Sequence, residues 1–347
     1  MLSRVANSLY WMSRYIERAE SIARLADVNL QLLLDFRNLD DATLNAHWMP
    51  IVQSSGDEEV FGKLYPKITG QNVTDFMVFN PGNANSIYSS VAQARENARM
   101  VRDQVTVELW EEINRIYLFL NSPRAKKEWR ESPYDFFQTI KNTSLLLQGL
   151  TDSTVVRNEG WFFIQVGRYI ERADKTSRIL DVRHASLPAR GVPAEAPNQA
   201  DALGWAAVLR SCSAWDAYKA LHGAEVHPAR IAELLLLSDD FPRSVRFAVR
   251  HLNIALRRIS GVHEGRFSNA AEKLAGRLLA ELQFSTAEDI FDVGLHTYID
   301  ITQSKLNAIG DALFQAYIFQ PFHAPDDYAL RQQEEQQQQN GPAAASL

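Results

Sequence analysis

A single cysteine, Cys212, stands among 347 residues, so no disulfide forms within the chain and no cysteine cluster can hold a metal. Set in a helical apolar pattern, it reads as a small core side chain. Long apolar runs are also missing, since none approaches the ~20 residues that span a bilayer. The start, MLSRVANSLYWMSRYIERAE, mixes arginine and glutamate into a helical pattern where a secretory leader would carry an apolar core and a small-residue cleavage site. A cytoplasmic protein without membrane contact is expected. The familiar catalytic signatures are absent too: there is no HExxH, GxGxxG, phosphate loop, GxSxG or CxxC. His222 and His227 flank a turn and do not share a helical ligand face. Neither a metal nor a cofactor is expected. Positive charge is not in excess either, with 36 Lys and Arg against 42 Asp and Glu and a formal charge of −6. That balance argues against nucleic-acid binding, while clustered arginines could still make a local positive pocket.

Apolar residues are plentiful, at 46%, and the length exceeds one usual core, so two lobes or one elongated helical body would both suit it. The organising feature is a repeat. Residues 14–28 read RYIERAESIARLADV and residues 168–182 read RYIERADKTSRILDV, with nine of fifteen positions identical at an offset of 154. Polar positions kept their identity: Arg14, Glu17, Arg18, Arg24 and Asp27 match Arg168, Glu171, Arg172, Arg178 and Asp181. An ordinary surface helix holds its apolar stripe and lets its polar face drift. Here Tyr15, Ala19, Ile22 and Ala26 form the stripe, and beside it runs a charged seam on a largely enclosed helix.

Two readings compete for that seam. Each copy sets three arginines against three carboxylates, the local neutrality that buried charge requires, which describes an ion-pair lattice. Alternatively, part of the guanidinium set faces an anionic ligand, because arginine forks match carboxylate and phosphate geometry. The expected division makes Glu17 and Glu171 structural and Arg95, Arg99 and Arg246 functional, since only the latter lie outside the locally neutral repeat.

Helical patterns account for most of the remaining chain. The first helix starts at Ser3 and runs to about Arg37; Asp40 or Asp41 opens a short one holding His47 and Trp48; residues 54–82, rich in Gly and Pro, read as short helices and loops. Residues 86–120 carry helical periodicity without Gly or Pro, with Arg95, Arg99 and Arg102 on one face and Glu96 and Asn97 beside them. Ser122 and Ser132, each before a proline, are helix starts, and another helix from about Asn158 carries the second motif. After a Pro- and Ala-rich linker at 187–199, helices are expected at 200–221, 228–238, 242–259, 269–284 and 286–319, the last opened by a capping box of Ser285 and Glu288. A weaker echo pairs Asn85-Ser86-Ile87 with Arg243-Ser244-Val245, each at a helix start after a Pro-containing turn. The expected fold is all-α, an elongated bundle of two duplicated halves, 1–155 and 156–325, followed by a disordered glutamine-rich tail at 326–347.

Four segments in this order, RYIERAESIARLADV, ARENARMVRDQ, GWFFIQVGRYIERADKTSRILDV and FPRSVRF, resemble the bacterial alpha-E domain family, across nearly the whole chain apart from the tail. Family members are typically encoded beside circularly permuted ATP-grasp and transglutaminase-like proteins. The resemblance implies those two as partners and a shared pathway of peptide or amide-bond synthesis. It carries motif membership, without roles, onto Arg14, Glu17, Arg18, Arg95, Asn97, Arg99, Arg168, Glu171, Arg172, Arg243, Ser244 and Arg246. The second half has no copy of Arg95-Glu96-Asn97, so a site built there would be asymmetric. The reading favoured is an accessory or scaffold protein that binds an acidic peptide, a carboxylate ligand or the ligase through arginine-rich helices. The alternative is an amide-bond enzyme with Glu17 or Glu171 as general base and arginines stabilising an anion.

Overall fold

Two long helices carry the two copies of the repeat, and they pack on each other. In the computed structural model, which describes residues 1–35, 48–183 and 199–319, the first is α1 (Ser3–Asp35). Three short helices follow, α2 (Met49–Ser55), α3 (Glu58–Leu64) and α4 (Gly70–Val78), as the Gly and Pro content of that stretch implies. Then come α5 (Ile87–Met100), α6 (Val107–Leu120), α7 (Pro123–Glu131), α8 (Pro133–Thr154) and the second motif helix, α9 (Glu159–Asp181). The chain continues through α10 (Gln199–Ser211), α11 (Trp215–His222) and α12 (Pro228–Ala232), then α13 (Val245–Ser260), α14 (Ala270–Phe284), α15 (Ala287–Val293) and α16 (Leu295–Leu313). One π-type turn extends α12 and another extends α16. The fold is all-α, with no strand among the described residues. No helix of those residues is long and apolar enough to cross a membrane.

Caps explain most boundaries. Ser86, Ser122, Ser132, Asn158 and Ser244 each accept a backbone N–H of the first turn that follows them. Three expected helices break where the sequence reading ran them through. Residues 86–120 form two helices because Thr106 caps α6 through Leu109 N at 3.3 Å and buried Val101 and Val105 anchor the turn between them. A cap, and not a glycine or proline, makes this break. The expected 200–221 helix divides at Ser213, whose φ of 53° leaves the helical region. The expected 286–319 helix divides at Gly294, and its capping box belongs to Thr286 and Asp289, one residue on from the expected pair. The expected helix at Asp40 or Asp41, most of the 187–199 linker and the tail lie outside the described residues.

Around the two motif helices the packing partners correspond. Helix α1 packs on α5 and α8, and α6 bridges those two; α9 packs on α13 and α16, and α14 bridges those two. The motif helices lie against each other at the centre. Fifteen of the 23 residues of α9 are buried, which explains why its polar positions are as constrained as its apolar ones. Ala19, Ile22 and Ala26 are buried as expected, but Tyr15 is not: it remains half-buried, stacked on Trp11 and beneath Arg18. Tyr169 sits under Arg172 in the same relation and stacks on His251.

Candidate functional site

The motif helices approach closely at one repeat position. Ser13 and Gly167 both directly precede the motif; a Cβ on Gly167 would fall 2.2 Å from the Tyr10 carbonyl oxygen and 2.3 Å from Ser13 Oγ. Glycine is therefore required there by close backbone approach. Ser13 Oγ uses the contact, donating to the Ile164 carbonyl oxygen at 2.7 Å.

This crossing places each copy's arginine on the other copy's glutamate. Arg18 donates from Nε and Nη2 to both oxygens of Glu171, at 2.6 and 3.0 Å. Arg172 donates in the same way to both oxygens of Glu17, at 2.7 and 3.0 Å. Both are two-point forks around carboxylates that are 1% and 0% exposed, the strong geometry for this pair. The expectation of neutrality within each copy therefore needs correction: the central pairs are exchanged between copies. Successive residues of a helix point about 100° apart, so Glu17 and Arg18 cannot face each other and need a crossing helix. The outer pairs stay local, Arg24 on Glu20 and Arg178 on Asp174, each four residues apart.

Further groups complete the lattice. Arg14 donates to Glu171 at 2.7 Å and to the Tyr10 hydroxyl at 2.9 Å. Arg18 also reaches Asn85 Oδ1 at 2.8 Å, at the start of α5, whereas Arg172 reaches the Pro242 carbonyl oxygen at 3.3 Å, just before α13. Arg243 bonds Glu20 and lies 3.6 Å from Glu17. Gln148 of α8 donates to Glu17 and Glu20 and accepts from Arg168 at 2.6 Å. At the ends, Asp27 pairs with Lys141 of α8 and Asp181 with His296 of α16.

Electrostatics follow from this geometry. Burial pushes the Glu171 carboxyl up, but Arg14, Arg18 and Lys175 together outweigh it and hold the group well below the usual carboxylate range. Burial opposes ionisation of Glu20 as well, yet Arg243, Arg24 and Arg172 bring it to about 2. Burial alone would lower Arg14 and Arg172, and Glu171 and Glu17 respectively reverse this and keep them charged. Arg168 is lowered by burial and by neighbouring Arg172. Burial pushes the Cys212 thiol up to about 12, as expected of a core thiol.

The candidate residues separate into two groups. The structure gathers Arg14, Arg18, Arg168, Arg172 and Arg243 with Glu17 and Glu171. Arg95, Asn97 and Arg99 stay apart, bonded within α5 or to Asn114 of α6: Arg95 holds Asn114 and Glu96, Arg99 holds Glu96, and Asn97 donates to the Gln93 carbonyl oxygen. Arg246 lies near Asp239 and the Leu237 carbonyl oxygen. Ser244 is fully buried, capping α13 and donating to the Ser238 carbonyl oxygen, so its hydroxyl faces no open space.

One face of the lattice opens and the other is filled. Beside Glu171 lies a cavity of about 410 Å³ lined by Arg14, Arg18, Lys175 and Arg178, with Asp174 and Asp311 among its carboxylates. On the Glu17 side Gln148 occupies the corresponding ground, leaving about 20 Å³. The sequence reading missed Lys175, Gln148 and Asp311, and held Asn85 only as part of the echo with Arg243. Of those three, Lys175 alone left a signal, as the cation that replaces Ser21 at the same repeat position. Asp181, His296 and Asp300 also gather, with candidate ligand atoms within 4.8 Å of one another. Hydrogen bonding to Asp181 raises the His296 pKa, and the ring lies between the two carboxylates, 2.9 Å from Asp181 and 3.6 Å from Asp300.

A family model described as a predicted alpha-helical domain with a conserved ER motif matches residues 1–318. The exchanged Glu17-Arg18 and Glu171-Arg172 pairs are Glu-Arg dipeptides of that form. The chain is similar to uncharacterized proteins of Mycobacterium bovis and Mycobacterium tuberculosis, at 24% identity over 316 residues, covering 84% of this chain and 33% of each relative. It thus spans about a third of the length of the curated relatives it matches. No solved structure matches it.

Proposed function

The chain belongs to the Alpha-E family, and from that premise we propose that it is a helical accessory protein that binds a carboxylate ligand or acidic peptide at the cavity beside Glu171. The resemblance supplies the setting: an ATP-grasp amide ligase and a transglutaminase-like protein as partners in amide-bond synthesis or processing. Activation by ATP then belongs to the partner, because no phosphate loop is present in this sequence.

One observation carries the choice of binding over general-base catalysis. Glu17 and Glu171 are sealed and each is held by a two-point arginine fork. Glu171 in particular is depressed far from the operating range of a base at neutral pH. The cations around Glu171, by contrast, border open space. Arginine and lysine at the edge of a cavity recognise carboxylates, while the Glu-Arg exchange fixes their positions.

Melting curves of the full chain with and without a glutamate-containing peptide test this reading. Ligand that binds only the folded state raises the melting temperature with concentration. The rise should appear in the wild type and vanish in Lys175→Gln, each measured from that protein's own unliganded melting temperature. A wild-type curve unmoved by millimolar peptide contradicts the reading.

A further inference from the structure

The charges of the cavity specify more than an anion, and the following rests on the binding role proposed above. Arg14, Arg18, Lys175 and Arg178 supply four cations, Asp174 and Asp311 supply two carboxylates, and Glu171 stands behind Arg14 and Arg18. With all groups ionised, one positive charge is left in excess. A ligand of net charge −1 would neutralise it.

The two lining carboxylates differ in their ties. Asp174 is held by Arg178 at 2.9 Å and lies 3.3 Å from Lys175. Asp311, exposed on α16, has no side-chain hydrogen bond or ion pair among the described residues. Facing the same cavity from α9, the Lys175 ammonium has ion-pair contacts at 3.3 and 3.8 Å but donates no hydrogen bond among those residues. Arg14 commits Nε and Nη1 to Glu171 and Tyr10, its guanidinium lies over the Trp11 ring, and Nη2 donates no hydrogen bond among them. Trp11, Ile170, Phe314 and Ile318 add apolar surface to the lining. An unpartnered carboxylate repels a simple anion, and a phosphate dianion more strongly. It attracts an ammonium.

We propose that this cavity binds the free amino end of an acidic amino acid or short acidic peptide, with the α-ammonium on Asp311, the carboxylates on Lys175 and Arg14 Nη2, and the carbon skeleton against Trp11 and Phe314. Such a ligand carries two carboxylates and one ammonium, which gives the required net charge. A volume of about 410 Å³ lies within the range of small-molecule sites.

Titration calorimetry of the full chain with L-alanyl-L-glutamate and with its N-acetylated form tests the assignment. Acetylation removes the ammonium and should weaken binding by about tenfold or more, the loss of one charged hydrogen bond. Asp311→Asn should weaken the free-amine peptide by a similar factor and leave the acetylated one unchanged or tighter, because the carboxylate that repels it is gone. Gly310→Leu is a blocking variant: Gly310 lines the cavity, and a Cβ there makes ordinary contacts with Ile170 and the Tyr10 hydroxyl, at 3.8 and 3.9 Å. It should abolish binding of both peptides while melting like wild type. Equal affinity for the two peptides, with binding still lost in Lys175→Gln, would overturn the amino-end assignment and leave anion recognition standing. Failure of both peptides to bind the wild type would overturn both.

Discussion

Glu17 and Glu171 hold the same place in two copies of one sequence, and their surroundings differ in a way that separates support from recognition. Glu17 is enclosed: its partner Arg172 is 4% exposed, Arg243 stands nearby, and Gln148 fills the remaining space. Glu171 is equally buried, but its partners Arg14 and Arg18 border a large cavity. The same Glu-Arg exchange therefore makes a closed lattice on one side and a charged wall on the other. A repeated motif fixes the position of charge, and unrepeated neighbours decide whether that charge meets protein or solvent.

Neutralising each glutamate should expose this difference most strongly. Glu17→Gln strands a sealed guanidinium and should destabilise the fold by about 3–5 kcal/mol. Glu171→Gln leaves cations that water in the cavity can reach, and should cost less, about 2–3 kcal/mol. Chemical denaturation of the two variants checks the order, and a larger loss for Glu171→Gln would reverse the assignment of closed and open sides.

Acid should act on Glu171 and its lattice neighbour Glu20. Glu20 and Glu171 are depressed in the folded state relative to the ordinary carboxylate value of 4.5, so their contribution is fully present above that value and is lost as pH falls through the folded values. Stability followed by circular dichroism should hold from neutral pH to about 5 and decline between about 4.5 and 2. In Glu171→Gln the decline should be shallower. A midpoint of acid unfolding above 5 would contradict the account.

The helix crossing itself gives a smaller contrast. Gly167→Ala drives a methyl group into the Tyr10 carbonyl and should cost about 1–3 kcal/mol, whereas Ser13→Ala loses one hydrogen bond, about 1 kcal/mol. Equal stabilities for Gly167→Ala and wild type would show that the helices separate there without penalty.

How much of this could be read beforehand depends on which interactions the repeat wrote down. The enclosed motif helices, the serine caps at 86 and 244 and the polar identities at 17, 18, 171 and 172 were legible, because a repeat with fixed polar positions signals burial. The exchange was not legible, since a copy that is neutral by composition looks the same whether its pairs form within it or across a crossing. Nor was the position of the cavity. Gln148 and Asp311 come from helices without a repeat signature, and only the change from Ser21 to Lys175 pointed to it. Arg95 and Arg99 drew notice because they lie outside the repeat, yet their partners Glu96 and Asn114 satisfy them locally. Arg99→Ala removes a mostly exposed ion pair, so thermal denaturation should show a change below about 0.5 kcal/mol. A loss of several kcal/mol would show that the outer face of α5 is part of the lattice.

The central claim is that Glu17 and Arg172, 155 residues apart, act as one buried pair that joins the two motif helices. A double-mutant cycle of Glu17→Gln, Arg172→Met and both together, read by denaturant unfolding, measures their coupling directly. The account predicts a coupling of about 2–3 kcal/mol, with the double variant more stable than the sum of the single losses implies, because removing both charges leaves neither stranded. Additive losses, with no coupling beyond error, would contradict it.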